Sequence, residues 1–460
     1  PYSPFPIPHS LFLLPTIAYS LFPVPCSLFP IPYSLFPLPK KFVRQLRSLS
    51  RLPQLNPQVW ILAGGRFLSD IGSGFTLFYA PIFFVNQVGL SATEVGLALG
   101  IASVSGVAGR ILSGTLADSP RWGRRRTLLL ATAVLAIAAL VLATTHNLTT
   151  LIAGNLLSGL GIGLYWPATE SIVADLTQGE QRREAYAITR LADNLGLGVG
   201  IVLGGLLISA TNAYRTLFVV DALSFAVFFG VVYFAIAKTY PSASHRDEVR
   251  GSAWFEALRD RRLQVYILAN IIFTTYIAQL HSTIPLYFSN FIGGDSGSKG
   301  FAATTISGLF AWHLALNIIS QMPAAYLLKR FSHVQTLTIS AILWAAGFGC
   351  MWLAGVVPHS QLFWAILGLG VLAIATVCYS PAASSLVADI APPSLRAIYI
   401  SINSLCWAAG YFIGPTLGGW VLDQSRIVVV GYWVALSISV VGTAIILQYL
   451  DRTIHRQPIN

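Results

Sequence analysis

YWPATESIVADL at residues 165–176 returns 214 residues later as YSPAASSLVADI at residues 379–390. At that fixed offset Pro167 falls on Pro381, Asp175 on Asp389, Arg182 on Arg396 and Gly196 on Gly410. Gly200, Gly204 and Gly205 then fall on Gly414, Gly418 and Gly419 without a gap. Residues 165–206 and 379–420 share 15 identities in 42 positions, well above chance even for so apolar a chain. A same-order repeat of this kind is what two parallel halves of a membrane carrier leave behind. The chain reads as one six-helix unit made twice, with a binding site between the halves.

Composition agrees. Of 460 residues only 10% are charged and 55% are hydrophobic, far from the quarter-charged profile of soluble domains. The mean hydropathy is +0.68. Twelve runs are long enough to cross about 30 Å of hydrocarbon. They lie near 58–87, 93–116, 127–145, 148–176, 185–210 and 214–237, then 263–290, 302–328, 334–357, 361–388, 396–422 and 428–450. The expected fold is an all-α integral membrane protein of two pseudo-symmetric six-helix bundles, 58–237 and 263–450. Residues 41–57 form a basic N-terminal segment, 238–262 a linker and 451–460 a tail. Within the linker, SAWFEALRDRR has the pattern of a short helix lying on an anionic leaflet.

Twelve spans put both termini on one side. If that side is cytoplasmic, only Arg215, Lys299 and Arg426 of 28 basic residues fall on the other, as the positive-inside rule requires. The same distribution explains a net charge of +11 without a nucleic-acid partner. Four cysteines, Cys26, Cys350, Cys378 and Cys406, have no CxxC spacing and read as small apolar fillers rather than metal ligands.

Residues 1–40 are unlike the rest. PCSLFPI and PYSLFPL recur at seven-residue spacing, with proline too dense for a helix. No charge precedes Lys40, so no signal peptide is expected; the chain begins with Pro and its first methionine is Met322. The segment is expected to be translated repeat DNA upstream of the true start or a disordered tail, and no function is assigned to it.

Between spans 2 and 3 runs GTLADSPRWGRRRT, residues 114–127. It resembles the loop signature of the major facilitator superfamily, in which a Gly, an acid, a second Gly and a basic cluster follow in order. The resemblance places the glycines at Gly114 and Gly123, the acid at Asp118 and the basic residues at Arg124, Arg125 and Arg126. Four residues, Ser119, Pro120, Arg121 and Trp122, stand between acid and second glycine, where the family has two. The resemblance implies a cytoplasmic latch, with Asp118 reaching the positive dipole end of span 11. The alternative is a loop that only fixes topology. GYFIGPTLGG at 410–419 is similar to the GxxxGPxxGG helix motif of the superfamily's antiporters, with Pro415 in the proline position. The span 5 copy keeps Gly196, Gly200, Gly204 and Gly205 but has Ile201 for the proline. Glycines four apart make a flat face for close packing or sliding. Asn155 stands where proton-driven members often carry an Arg at the start of span 4.

Polar residues inside spans are costly and are functional candidates by default. Arg66 and Asp70, four apart on span 1, either pair structurally or leave Asp70 as a titratable site. An acid in this helix resembles the proton- or cation-sensing position of several drug-efflux members. On spans 4 and 5, Glu170 is a second protonatable group or the partner of Arg190, and Asp193 is open in the same way. Asp175 with Arg182, and Asp389 with Arg396, recur in both copies and suit an inner gate. The second half offers Tyr276, Gln279 and His281, then His313, Asn317 and Gln321 at four-residue spacing, and Asn403 with Trp407. These read as a cavity wall or as interhelical hydrogen bonds, with His313 a satisfied donor rather than a ligand. Pro81, Pro167, Pro285, Pro323, Pro381 and Pro415 are expected to interrupt helices near the cavity.

No GxxxxGK[ST] and no nucleophile–base pair appear, so neither ATP hydrolysis nor other enzyme chemistry is expected. The reading calls for no cofactor and no metal. It calls for a small-molecule substrate, protons as coupling ion, a lipid bilayer (inner or plasma membrane) and a monomer. Proton-coupled efflux of drugs or metabolites is the leading expectation, and proton-coupled uptake is the alternative. A non-transporting receptor or scaffold is the reading from another class.

Overall fold

A computed structural model of the chain describes residues 55–237 apart from 118 and 120, and residues 251–292, 300–392 and 395–456. Residues 1–54, Asp118 and most of the linker, with the expectations attached to them, lie outside the described residues. Leu55 onward forms a single compact unit.

Among the described residues, twelve helices are long and apolar enough to cross a membrane. Spans 1 to 6 are Pro57–Asn86, Ala92–Ala117, Gly123–Ala143, Leu148–Leu176, Gln181–Thr211 and Tyr214–Ala235. Spans 7 to 12 are Arg261–Asn290, Ala303–Leu328, His333–Val356, Pro358–Ile390, Ile398–Leu422 and Arg426–Ile454. Each lies within a few residues of its sequence-derived position, because apolar run length decides existence and polar caps decide the ends. Asn147 with Thr150, and Ser332 with Gln335, form capping boxes that start spans 4 and 9. In the linker, Gly251–Arg259 is helical as its pattern predicts, with Phe255 and Leu258 exposed.

The same packing plan appears twice. Span 1 lies against spans 5 and 6, span 2 against 4, and span 3 against 4 and 6. Adding six to each number gives the second set: 7 against 11 and 12, 8 against 10, and 9 against 10 and 12. Among the described residues, three helix pairings join the sets closely: span 2 with 11, span 5 with 8, and the far ends of spans 1 and 7.

Prolines act in two ways. Span 1 breaks at Phe78 and span 7 at Ser282, and Pro81 and Pro285 stand at the third residue of the helix that follows each break. A proline there removes the donor that would continue the preceding ladder. Pro167, Pro323, Pro381 and Pro415 instead lie inside continuous helices, which corrects the expectation that all six interrupt.

Candidate functional site

The repeated glycines explain where the polar residues end up. A Cβ on Gly196 would strike the carbonyl oxygen of Phe67 and stand 3.1 Å from Cβ of Asp70; on Gly200 it would strike the carbonyl of Ile71. The span 5 glycine face therefore seats span 1. In the second set, Gly410 and Gly414 seat Thr274, Thr275 and Ala278 of span 7. The last glycine of each motif faces across the molecule, Gly205 to Ser307 of span 8 and Gly419 to Ala92 of span 2, while Gly204 meets Tyr79 and Gly418 meets Thr283. Pro415 presents its carbonyl to Gly96 of span 2.

Seating span 1 on span 5 brings three charged groups together. Arg66, 1% exposed, donates through Nε and Nη2 to both oxygens of Asp193, at 2.8 and 2.5 Å. Bidentate geometry makes this the strong form of an ion pair. Asp70 stands beside this pair, its Cβ 3.1 Å from where a Cβ on Gly196 would lie. Arg66 is thus the partner of Asp193 across two helices rather than of Asp70 four residues along its own, which corrects the same-helix pair. Its guanidinium stands 5.2 Å from the ring centre of Trp166, and Arg190 stands 5.0 Å from the same ring. Arg190 also pairs with Glu170 at 2.8 Å, and both are well exposed. Asp70, Asp193, Arg66, Trp166, Glu170 and Arg190 thus form one polar cluster on spans 1, 4 and 5.

The candidates of the second set are largely spent on helix–helix bonds. Tyr276 bonds Ser439 and Thr443 of span 12, at 2.6 and 3.3 Å, so it faces away from the first six spans. Gln279 donates to the carbonyl of Gly414. His313 holds the carbonyl of Leu369 at 3.0 Å through Nδ1, the satisfied-donor role. Asn403 accepts from Tyr266 and Asn270, and Tyr379 donates to Asn270, tying spans 7, 10 and 11 together. Asn317 is half-buried and Gln321 exposed. Trp407 and Tyr411 stack at 6.0 Å, and Tyr411 bonds His281 at 3.0 Å. This aromatic face is what remains of a wall.

Among the described residues, the two sets meet most closely at the end away from the basic loops. Asp423 accepts from the backbone N–H of Ala92 and Thr93 and from the Thr93 hydroxyl, and Asn86 bonds Ser289 and Asn290. Further along, Gly100 meets Phe412, Ser103 donates to the carbonyl of Ala408, and Arg110 donates to Ser404 Oγ at 2.6 Å. One turn beyond, a Cβ on Gly114 would meet nothing within 4 Å. Spans 2 and 11 therefore separate toward the face that carries the basic loops. Sequence reasoning missed these cross-molecule residues; for Arg110 the signal is a cation inside an apolar run, whereas Asp423 and Asn86 look like ordinary loop polars.

A profile of the Major Facilitator Superfamily matches residues 62–312 and 295–459. The chain belongs to the Major Facilitator Superfamily. It is a multi-pass membrane protein and a secondary transporter of small molecules, not an enzyme. An MFS-type transporter of Bacillus subtilis, YttB, is 25% identical over 395 residues, covering 83% of this chain and 93% of that protein. The multidrug resistance protein MdtH of Yersinia enterocolitica is 24% identical over 354 residues, covering 75% and 82%. In fold, the crystal structure of the nucleoside transporter NupG aligns with a TM-score of 0.74 at 13% identity, covering 85% of this chain and 98% of that one.

In this superfamily member the loop residues that the structure describes hold the first six spans. Arg124 pairs with Asp175 and donates to the carbonyl of Ser171. Arg125 donates to carbonyls of Val232 and Tyr233, and Arg126 to that of Arg121. Arg182 caps the end of span 4 through the carbonyls of Ala174 and Thr177. Asp389 pairs with His333 at 3.2 Å. These partners correct the expected Asp175–Arg182 and Asp389–Arg396 pairs: each acid finds a base on a neighbouring span that packs against its own.

Proposed function

We propose that the protein exports lipophilic or cationic small molecules, drugs or metabolites, in exchange for protons, as a monomer in a cytoplasmic or plasma membrane. The basic loops would lie on the cytoplasmic side, which makes this structure the inward-open conformer. The observation that carries the reading is the Asp70–Asp193–Arg66 cluster. Two carboxyls facing one guanidinium hold a net negative charge that one proton neutralises, and an intramembrane charge costs about 2.5–3.5 kcal/mol on insertion scales. A cationic substrate and a proton therefore compete for the same compensation. Asp70 takes the proton while the opposite face is open and gives it up on the basic side. The outward-open state returns when the loop of Asp118 and Arg124–Arg126 closes against span 11. Similarity to the MdtH multidrug resistance proteins, at 24% identity, supports export as well.

Proton-coupled uptake is the second reading, favoured by Ile201 in the proline position of the span 5 motif. Asn155 favours it as well, since its side chain donates only to the carbonyl of Leu151 on its own helix. Lumenal pH in energised inside-out vesicles separates the two. Proton release on adding a lipophilic cation, lost in Asp70→Asn, is expected for exchange. No release from any compound of a broad panel, with solute uptake in right-side-out vesicles, would retire export.

A further inference from the structure

One buried acid has no part in the cluster just described. Asp221, on span 6, is 8% exposed; its Oδ2 accepts from Thr76 of span 1 at 3.3 Å, while Oδ1 is buried without a hydrogen-bond partner. It forms no ion pair among the described residues. The elements packed on span 6 are spans 1 and 3. Span 1 brings Arg66, committed to Asp193, and Asp70. Span 3 has no titratable residue over 127–143, and Arg124, Arg125 and Arg126 lie at its far end. On span 6 itself, Arg215 turns to the carbonyls of Ala143 and Thr145.

The position of Asp221 is built, not incidental. Gly72 brings span 1 so close that a Cβ there would strike Ser224 Oγ and come within 2.9 Å of Cα of Asp221. Ser224 bonds the carbonyls of Asp221 and Ser69, at 2.7 and 3.4 Å, and Ser69 is 1% exposed beside Asp70. Thr76 lies six residues beyond Asp70 toward the closed face. Ser69, Ser224 and Asp221 are thus buried together where spans 1 and 6 touch, with Asp70 next to Ser69 in the chain.

We propose that Asp221 is a second proton-carrying carboxyl of the transport cycle, placed between the Asp70–Asp193 pair and the face that is closed here. In the step it serves, one proton leaves the Asp221 carboxyl and binds the Asp70–Asp193 pair, and Asp221 is recharged from that face. Protons then need not share the substrate's route. This rests on the proton-exchange reading above, so the test has an arm that does not need transport.

Full-length protein in nanodiscs is followed by infrared pH-difference spectra in the C=O stretch of protonated carboxyls. Asp221→Asn is expected to lose one band that Asp70→Asn retains, and Asp221→Glu to show it displaced. In proteoliposomes, with ethidium as probe, the ratio of proton-driven transport to counterflow is expected to fall about tenfold in Asp221→Asn. The ratio should recover in Asp221→Glu, which also controls for misfolding. Asp221→Asn spectra superimposable on wild type would overturn the assignment, and an unchanged ratio would overturn its place in coupling. If wild-type protein moves no ethidium in either mode, the export reading suffers and the spectra alone decide Asp221.

Discussion

Arg66 and Asp193 form an ion pair whose two side chains are 2% and 13% exposed, inside a region that water scarcely reaches. Such a pair gains little over a well-packed apolar substitute, but removing one partner strands the other charge. Arg66→Met is therefore expected to destabilise the folded protein by about 3–5 kcal/mol, seen as a lower thermal midpoint in detergent. Arg66→Met with Asp193→Leu should recover most of that midpoint while leaving gradient-driven transport lost. An unchanged midpoint in the single variant would mean that the pair is not formed in the bilayer. Trp166 adds a second hold, because its ring lies under both Arg66 and Arg190.

Helices here are placed by small residues more than by polar ones. The carbonyl of Ile71 and Cα of Gly74 occupy the space that a side chain on Gly200 would need. Gly200→Val is expected to force spans 1 and 5 apart and to reduce the yield of folded protein severely, since backbone cannot give way as a rotamer can. Gly419→Val makes the same clash, with Ala92 and Gly96, but between the two sets of six. That protein is expected to fold and to open at the closed face, read as faster maleimide labelling of a cysteine introduced at Asn86. Equal losses of folding in both variants would refute the distinction. The glycine faces were legible because a four-residue period survives in any register of the helix, and the 214-residue repeat marks it twice. The partner of Arg66 was not. Asp70 at four residues and Asp193 at 127 compete on equal terms until the glycine face fixes how deep span 1 sits on span 5. Asp221 carried the same signal as Asp70, an acid in an apolar run, yet the sequence reading passed over it, and its lack of an ion pair among the described residues is a property of packing alone.

For the molecule as a whole, the cross-contacts among the described residues gather at the face away from the basic loops, so this conformer is favoured by whatever those contacts contribute. The N-terminus of span 2 shows how they work. Four backbone donors at a helix start need partners. Ser91 supplies one for Glu94, Val95 returns to the carbonyl of Ser91, and Asp423 from the end of span 11 takes those of Ala92 and Thr93. The helix is capped in full only while the two sets touch, so the cap is a contact that rocking must break. Asp423→Ala removes it from this conformer and nothing from the other. A side-chain cap is worth about 0.5–2 kcal/mol, and at about 1 kcal/mol the population would move roughly fivefold toward the state open at the opposite face. Spin labels on the loops after spans 1 and 7 would report the shift as a longer-distance component in pulsed dipolar spectra. A bifunctional thiol reagent joining cysteines at Asn86 and Ser289 should suppress that component and halt transport until reduced. If transport continues with the bridge intact, the contact at this face does not open during the cycle, and rocking between the two sets is the wrong motion.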